Sequence, residues 1–240
     1  MLSRTYQHAV FCNNTGVACL EHGDLPRALS AFKTALNSMT TVISDLEKSK
    51  RNLSPKSSSS WSPNSLMDFC VQWSANAKLP LHMEGAVSGS ASFVYRRAIR
   101  IYSTPLTAAT QRDNFVDESA IVVYNLALAF HLSGVNNNTE FLRRAIRFYE
   151  IANSILQRQR EQPSNQLKSV LLNMAVLNNM GQIRHSLMEF EQARKCFSEV
   201  STILVNLNQA GLLTQCLTPA DCDGFVLNVT LKEPSVAAAA

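Results

Sequence analysis

"NNTGVACLEHGDLPRALSAFKTAL", residues 13–36, sets Gly16, Gly23, Ala28 and Ala35 among larger residues and breaks once, at Gly23-Asp24. From Leu25 onward Leu25, Ala28, Leu29, Phe32, Ala35, Leu36, Met39, Val42, Ile43 and Leu46 recur three and four apart, the period of one face of a long amphipathic helix. The stretch from Tyr6 to His22 is also helix-compatible, and Pro26 suits the first turn of the helix after the break. Residues 6–46 are therefore predicted to be a helical hairpin. Two helices packed about 8 to 10 Å apart leave room only for Gly or Ala at their crossing, so Gly16 is expected to face Ala28.

The same grammar returns at "VVYNLALAFHLSG" (122–134) with "FLRRAIRFYEIANSIL" (141–156), where Thr139 can cap the second helix. It returns again at "LLNMAVLNNMGQIRHSLMEFEQARKCFSEV" (171–200), with Ser164 or Asn165 opening the first helix. Three hairpins of one design are predicted.

Their spacing resembles the tetratricopeptide repeat, whose pattern is W-x2-L-G-x2-Y followed by A-x3-F. Cys12, Thr15, Gly16, Cys19, Ala28 and Phe32 stand at those places in the first hairpin. Val123, Leu126, Ala127, Phe130, Ala145 and Tyr149 stand there in the second, and Leu177, Met180, Gly181, Arg184, Ala193 and Phe197 in the third. Size is retained better than identity. The copies open at Cys12, Val123 and Leu177, unequal intervals longer than the family's period of about 34 residues, and the closing Pro is missing. The resemblance implies a superhelix of three helix pairs. In it Phe32, Tyr149 and Phe197 are expected to fill the wedge toward the neighbouring pair, each removing about 150 to 250 Å² from water.

The fold class is thus mainly all-α, three antiparallel hairpins in one tetratricopeptide-like domain over residues 1–240. A Ser/Pro-rich, partly mobile insertion is expected over about 50–91, centred on "SPKSSSSWSPNS" (54–65), and a flexible tail over 233–240. Within the insertion Leu66, Phe69, Cys70 and Trp73 share one face of a short candidate helix. "SFVYRRAIRIYS" and "DGFVLNVTLK" alternate apolar and polar residues, so 93–102 and 224–232 are predicted to pair as a two-stranded β element. A lone strand would leave its main-chain groups unsatisfied.

Composition narrows the chemistry. The 240 residues are 46% hydrophobic and 17% charged with a net charge of +4, ordinary for a soluble globular protein and without the dense basic block of a nucleic-acid binder. The first residues carry no secretory signal and no stretch is long and apolar enough for a membrane span, so an intracellular location, cytoplasmic or nuclear, is expected. In that setting the six cysteines read as reduced small hydrophobes. His8, Cys12, Cys19 and His22 share a helical face, but His8 and His22 lie roughly 21 Å apart at helical rise, so no single ion takes more than two of them. Cys216 and Cys222 have a redox reading beside the simpler one of loop packing, and "DCDG" (221–224) begins like a calcium loop but lacks the third ligand and the closing Glu. No phosphate loop or nucleophile elbow is present, so neither metal, cofactor nor catalytic residue is assigned.

In the family that the hairpins resemble, the first helix of each pair lines a concave groove that holds an extended peptide or a helix. Carried over, that lining is Asn13, Val17 and Leu20, then Tyr124, Leu128 and His131, then Asn178, Gln182 and His185. Asn14, Asn125 and Asn179 each stand two residues before the crossing position, and an amide there suits a peptide main chain because it offers donors and an acceptor. The alternative for these amides is internal capping of helix contacts. The expected function is a noncatalytic adaptor for a partner protein's segment, with the Trp73 helix as a second candidate occupant in cis. Two alternatives remain: RNA binding by the Arg/Tyr strip 95–102, whose Arg96, Arg97 and Arg100 interleave with Tyr95 and Tyr102, and an enzyme with an unrecognised site.

Overall fold

A computed structural model describes residues 2–53, 93–102, 111–135, 138–159 and 166–231. Among them eight helices follow in order: α1 (Leu2–Glu21), α2 (Leu25–Leu53), α3 (Gln111–Gly134), α4 (Thr139–Gln159), α5 (Gln166–Ser186), α6 (Phe190–Gln209), α7 (Leu213–Cys216) and α8 (Pro219–Leu231). No strand occurs among the described residues. None of these helices is long and apolar enough to cross a membrane.

The predicted break is a helix-ending turn of defined geometry. Gly23 has φ 76°; its N–H donates to the Leu20 carbonyl at 3.0 Å and the Asp24 N–H to that of Cys19 at 2.9 Å, so orphan carbonyls of α1 are satisfied. Asp24 then caps α2, its Oδ1 accepting from the Arg27 N–H at 3.1 Å. The ends of α5 and α6 repeat the pattern. Glu189 and Met188 donate to Arg184 and His185 at 2.8 and 3.1 Å, and Leu212 and Gly211 to Leu207 and Asn208 at 2.9 and 3.0 Å. The left-handed position is Gly211 in one and Met188, φ 64°, in the other. A side chain there crowds its own carbonyl, and Met188 is exposed and loses nothing on truncation. Met188→Gly is therefore expected to raise stability by about 1 kcal/mol in urea denaturation.

The described residues of Met1–Gly85 and Ile99–Asn125 form one compact unit, and those of Ala86–Ala98 and Leu126–Ala240 a second. In the first, α1 lies along α2, and Ala28, Phe32, Ala35, Met39 and Val42 are fully buried on the predicted face. The space beside Gly16 belongs to Phe32: a Cβ at Gly16 would stand 2.6 Å from that ring. Thus Phe32 of α2 closes on Gly16 of α1 within its own hairpin. Tyr6 of α1 meets Phe115 of α3 edge-on at 5.1 Å, and its hydroxyl donates to the buried Glu118 carboxylate, whose pKa burial pushes up.

The second unit repeats that device. A Cβ at Gly181 of α5 would stand 2.8 Å from the Phe197 ring of α6, and one at Gly134 of α3 2.7 Å from Leu142 of α4. Phe130 stacks on Phe148 at 5.6 Å between α3 and α4. The cap of α4 is Asn138, whose Oδ1 accepts from the Phe141 N–H at 3.2 Å, one residue before the expected Thr139. Ser164 and Asn165, the Ser/Pro-rich insertion 54–91 with its Trp73 helix, and the tail 233–240 lie outside the described residues.

The β element is corrected on both sides. Residues 219–231 are helix α8, opened by a capping arrangement in which Thr218 Oγ1 accepts from the Asp221 N–H at 3.3 Å and donates to Asp221 Oδ2 at 2.6 Å, with Pro219 in the first turn. Asp221, Phe225 and Asn228 then fall on one buried helical face. Residues 93–102 form no strand, and the main chain of Phe93, Tyr95, Ile99 and Ile101 is bonded by asparagine side chains.

Candidate functional site

An extended chain turns the N–H and C=O of every second residue to the same side, and a strand partner satisfies both at once. A primary amide offers the same acceptor and donor on one short side chain. That substitution occurs in each unit.

In the first unit, Asn125 Oδ1 accepts from the Ile99 N–H at 2.9 Å while its Nδ2 donates to the Ile99 carbonyl at 2.8 Å. Asn14 does the same for Ile101, at 2.9 and 2.8 Å. Asn13 braces the pair: its Nδ2 donates to the Ile99 carbonyl at 3.1 Å and to Asn14 Oδ1 at 3.2 Å, and its Oδ1 accepts from Asn125 Nδ2 at 2.9 Å. Arg100, between the clamped residues, pairs with Glu21.

In the second unit, Asn179 Oδ1 accepts from the Tyr95 N–H at 2.9 Å and its Nδ2 donates to the Tyr95 carbonyl, also at 2.9 Å. Asn228 of α8 clamps Phe93, accepting from its N–H at 3.1 Å and donating to its carbonyl at 2.6 Å. Asn178 is the brace, donating to the Phe93 carbonyl and to Asn179 Oδ1, both at 3.2 Å, and accepting from Asn228 Nδ2 at 2.7 Å. Asn179 Nδ2 also donates to the Tyr149 hydroxyl at 3.1 Å, and that hydroxyl stands 3.5 Å from His131 Nδ1. Burial raises the Tyr149 pKa far above the usual phenol range. Burial first, and then the Arg96 charge, pushes that of His131 down to about 3. Both groups are therefore neutral at ordinary pH, and the Tyr149 oxygen receives the Asn179 amide.

Of the residues singled out for partner binding, Asn13, Asn14 and Asn125 converge on main chain in the first unit, and Asn178 and Asn179 in the second. Val17, Tyr124 and Leu128 are fully buried in packing. His131 meets Tyr149 edge-on at 6.1 Å, Gln182 is buried, and half-buried His185 lies edge-on to Phe190 at 5.2 Å. Asn228 was missed because 224–232 read as a strand. The signal lay in Thr218-Pro219-Ala220-Asp221, a helix-opening pattern that puts Asp221, Phe225 and Asn228 on one face. Base stacking by Tyr95, which an RNA reading of the 95–102 strip requires, meets Tyr95 already stacked on Phe225 at 5.7 Å, with Arg97 paired to Asp221 at 3.3 Å.

Among the described residues Cys12, Cys19, Cys196, Cys216 and Cys222 are free thiols. Cys12 Sγ lies 3.6 Å from His8 Nε2, and burial pushes the Cys12 thiol pKa up, away from thiolate chemistry. No group of three or more His, Cys, Asp or Glu among the described residues is placed to hold a metal ion. Set against known proteins, the chain matches no family model, no curated protein and no solved structure.

Proposed function

We propose that this chain is a noncatalytic interaction scaffold of tetratricopeptide-like helix pairs, and that it holds an extended segment of a partner protein by its main chain. One observation supports this reading above the others: four asparagines each take both the N–H and the C=O of a single residue, namely Phe93, Tyr95, Ile99 and Ile101. Such clamps are indifferent to side-chain identity, and residues 93–102 are the segment they hold in this chain. The fit of Phe32 over Gly16 and of Phe197 over Gly181 supports the repeat-like part of the proposal.

The resident segment is tethered, so its effective concentration is high and a partner binds only as far as it displaces the tethered copy. Weakening the resident should therefore raise affinity in trans. Tyr95→Pro deletes the N–H that Asn179 accepts. A fluorescent peptide with the sequence of residues 91–102 is expected to bind the full-length Tyr95→Pro chain about tenfold or more tightly than the unaltered one by anisotropy. Adding Asn179→Ala should remove that gain. If Tyr95→Pro lowers helicity, Tyr95→Gly serves instead, because it keeps the N–H and removes the ring. No gain in either variant at unchanged helicity sinks the proposal.

A further inference from the structure

Main-chain clamps alone would accept any extended segment without proline at the gripped positions, yet the second unit surrounds its resident with side-chain contacts that discriminate. Phe93 packs over Gly224, where a Cβ would overlap its ring, and meets Phe225 edge-on at 5.4 Å. Tyr95 lies flat: its ring stacks on Phe225 at 5.7 Å with an interplanar angle of 14°, and only 4% of the residue is exposed. Two residues further on, Arg97 Nη1 reaches Asp221 Oδ2 at 3.3 Å; the Asp221 side chain is 8% exposed and the arginine 59%. Gly224, Phe225 and Asp221 come from consecutive turns of α8, the helix that also carries the Asn228 clamp.

The geometry points to a sequence code at this site: the second unit selects an extended partner segment of the form aromatic–x–aromatic–x–arginine, with Gly224 and Phe225 seating the two rings and Asp221 reading the cation. This rests on the main-chain clamping proposed above. The residue spacing follows from the extended chain, in which positions one, three and five face the same way. Gly224 makes room for the first ring because any side chain would fill its seat. Phe225 offers an edge contact to one ring and a face to the next, the two arrangements that aromatic pairs favour. Asp221 supplies the charge, and its burial limits competition from water at the carboxylate. A lysine at position five would carry the charge but not the planar fork, so arginine is preferred.

The test uses the full-length Tyr95→Gly chain, whose resident segment is weakened, and peptides spanning residues 91–102. The parent peptide is the reference. Carrying Arg97→Glu, the peptide is expected to bind about tenfold or more weakly, and carrying Tyr95→Ala weaker still. A peptide with both Val94→Arg and Arg97→Val keeps the parent's net charge while moving the cation off position five, and it too should bind weakly. In the protein, Asp221→Asn keeps a side chain that can accept from Thr218 while removing the charge; it should shrink the Arg97→Glu penalty to about twofold. Equal binding of all peptides overturns the code and leaves main-chain clamping standing. An unchanged Arg97→Glu penalty on Asp221→Asn overturns the role of Asp221. Absence of binding by the parent peptide at intact helicity overturns both the code and the clamping on which it rests.

Discussion

Asn179→Ala is expected to lower stability by roughly 4 kcal/mol, the largest effect of any single asparagine among the described residues. The amide of Asn179 is fully buried and meets four groups: the Tyr95 N–H, the Tyr95 carbonyl, the Tyr149 hydroxyl and Asn178 Nδ2. Alanine removes the amide but leaves those groups where water does not reach, and an unsatisfied buried polar group costs about 1 to 3 kcal/mol. The penalty is bounded because the segment can shift and recover part of it. Asn179→Asp is a sharper probe: it keeps the acceptor for the Tyr95 N–H yet turns an acceptor toward the Tyr95 carbonyl, so it should be no better than alanine. Asn14→Ala, at a half-buried position, should cost only about 1 to 2 kcal/mol. Urea denaturation at an unchanged m value measures all three, and equal losses for Asn14→Ala and Asn179→Ala would contradict the role given to burial.

Gly16→Val comes next, with an expected loss of about 3 kcal/mol. Two effects oppose each other here. Replacing glycine within a helix gains about 0.5 to 1 kcal/mol for alanine, and less for a β-branched residue that loses side-chain freedom. Against it stands the Phe32 ring, 2.6 Å from the site of the new Cβ and with no exposed surface through which to retreat. Overpacking of this kind costs about 1 to 3 kcal/mol and occasionally more, so sterics win. The cause can be isolated with Phe32→Leu. That change alone leaves a cavity and destabilises, but in the double variant the smaller side chain yields space to the introduced valine methyls, and the two losses should fall short of their sum by about 1 kcal/mol or more. Strict additivity would mean that Gly16 is needed for something other than room for Phe32.

What the sequence determined by itself was the local and periodic part. Three- and four-residue spacing marked α2 through Val42 and the faces of α4 and α6, because burying one stripe of a helix is a constraint that every turn records. Gly23-Asp24 announced a helix end, since a left-handed residue followed by a capping carboxylate is a short-range requirement. Asn14, Asn125 and Asn179 stood out as amides suited to a peptide main chain, and each grips one. Only the tertiary structure decided what they grip. Residues 93–102 and 224–232 both alternate, and alternation reports two unlike faces without naming the partner. Helical capping at Thr218 and the burial of Asp221, Phe225 and Asn228 along one stripe turned the second segment into α8. The first was then left to satisfy its main chain against asparagines distant in sequence: Asn179 lies 84 residues from Tyr95, and Asn228 135 from Phe93. No local pattern encodes pairings across such separations, because they depend on where packing brings the helices and not on the residues beside each asparagine.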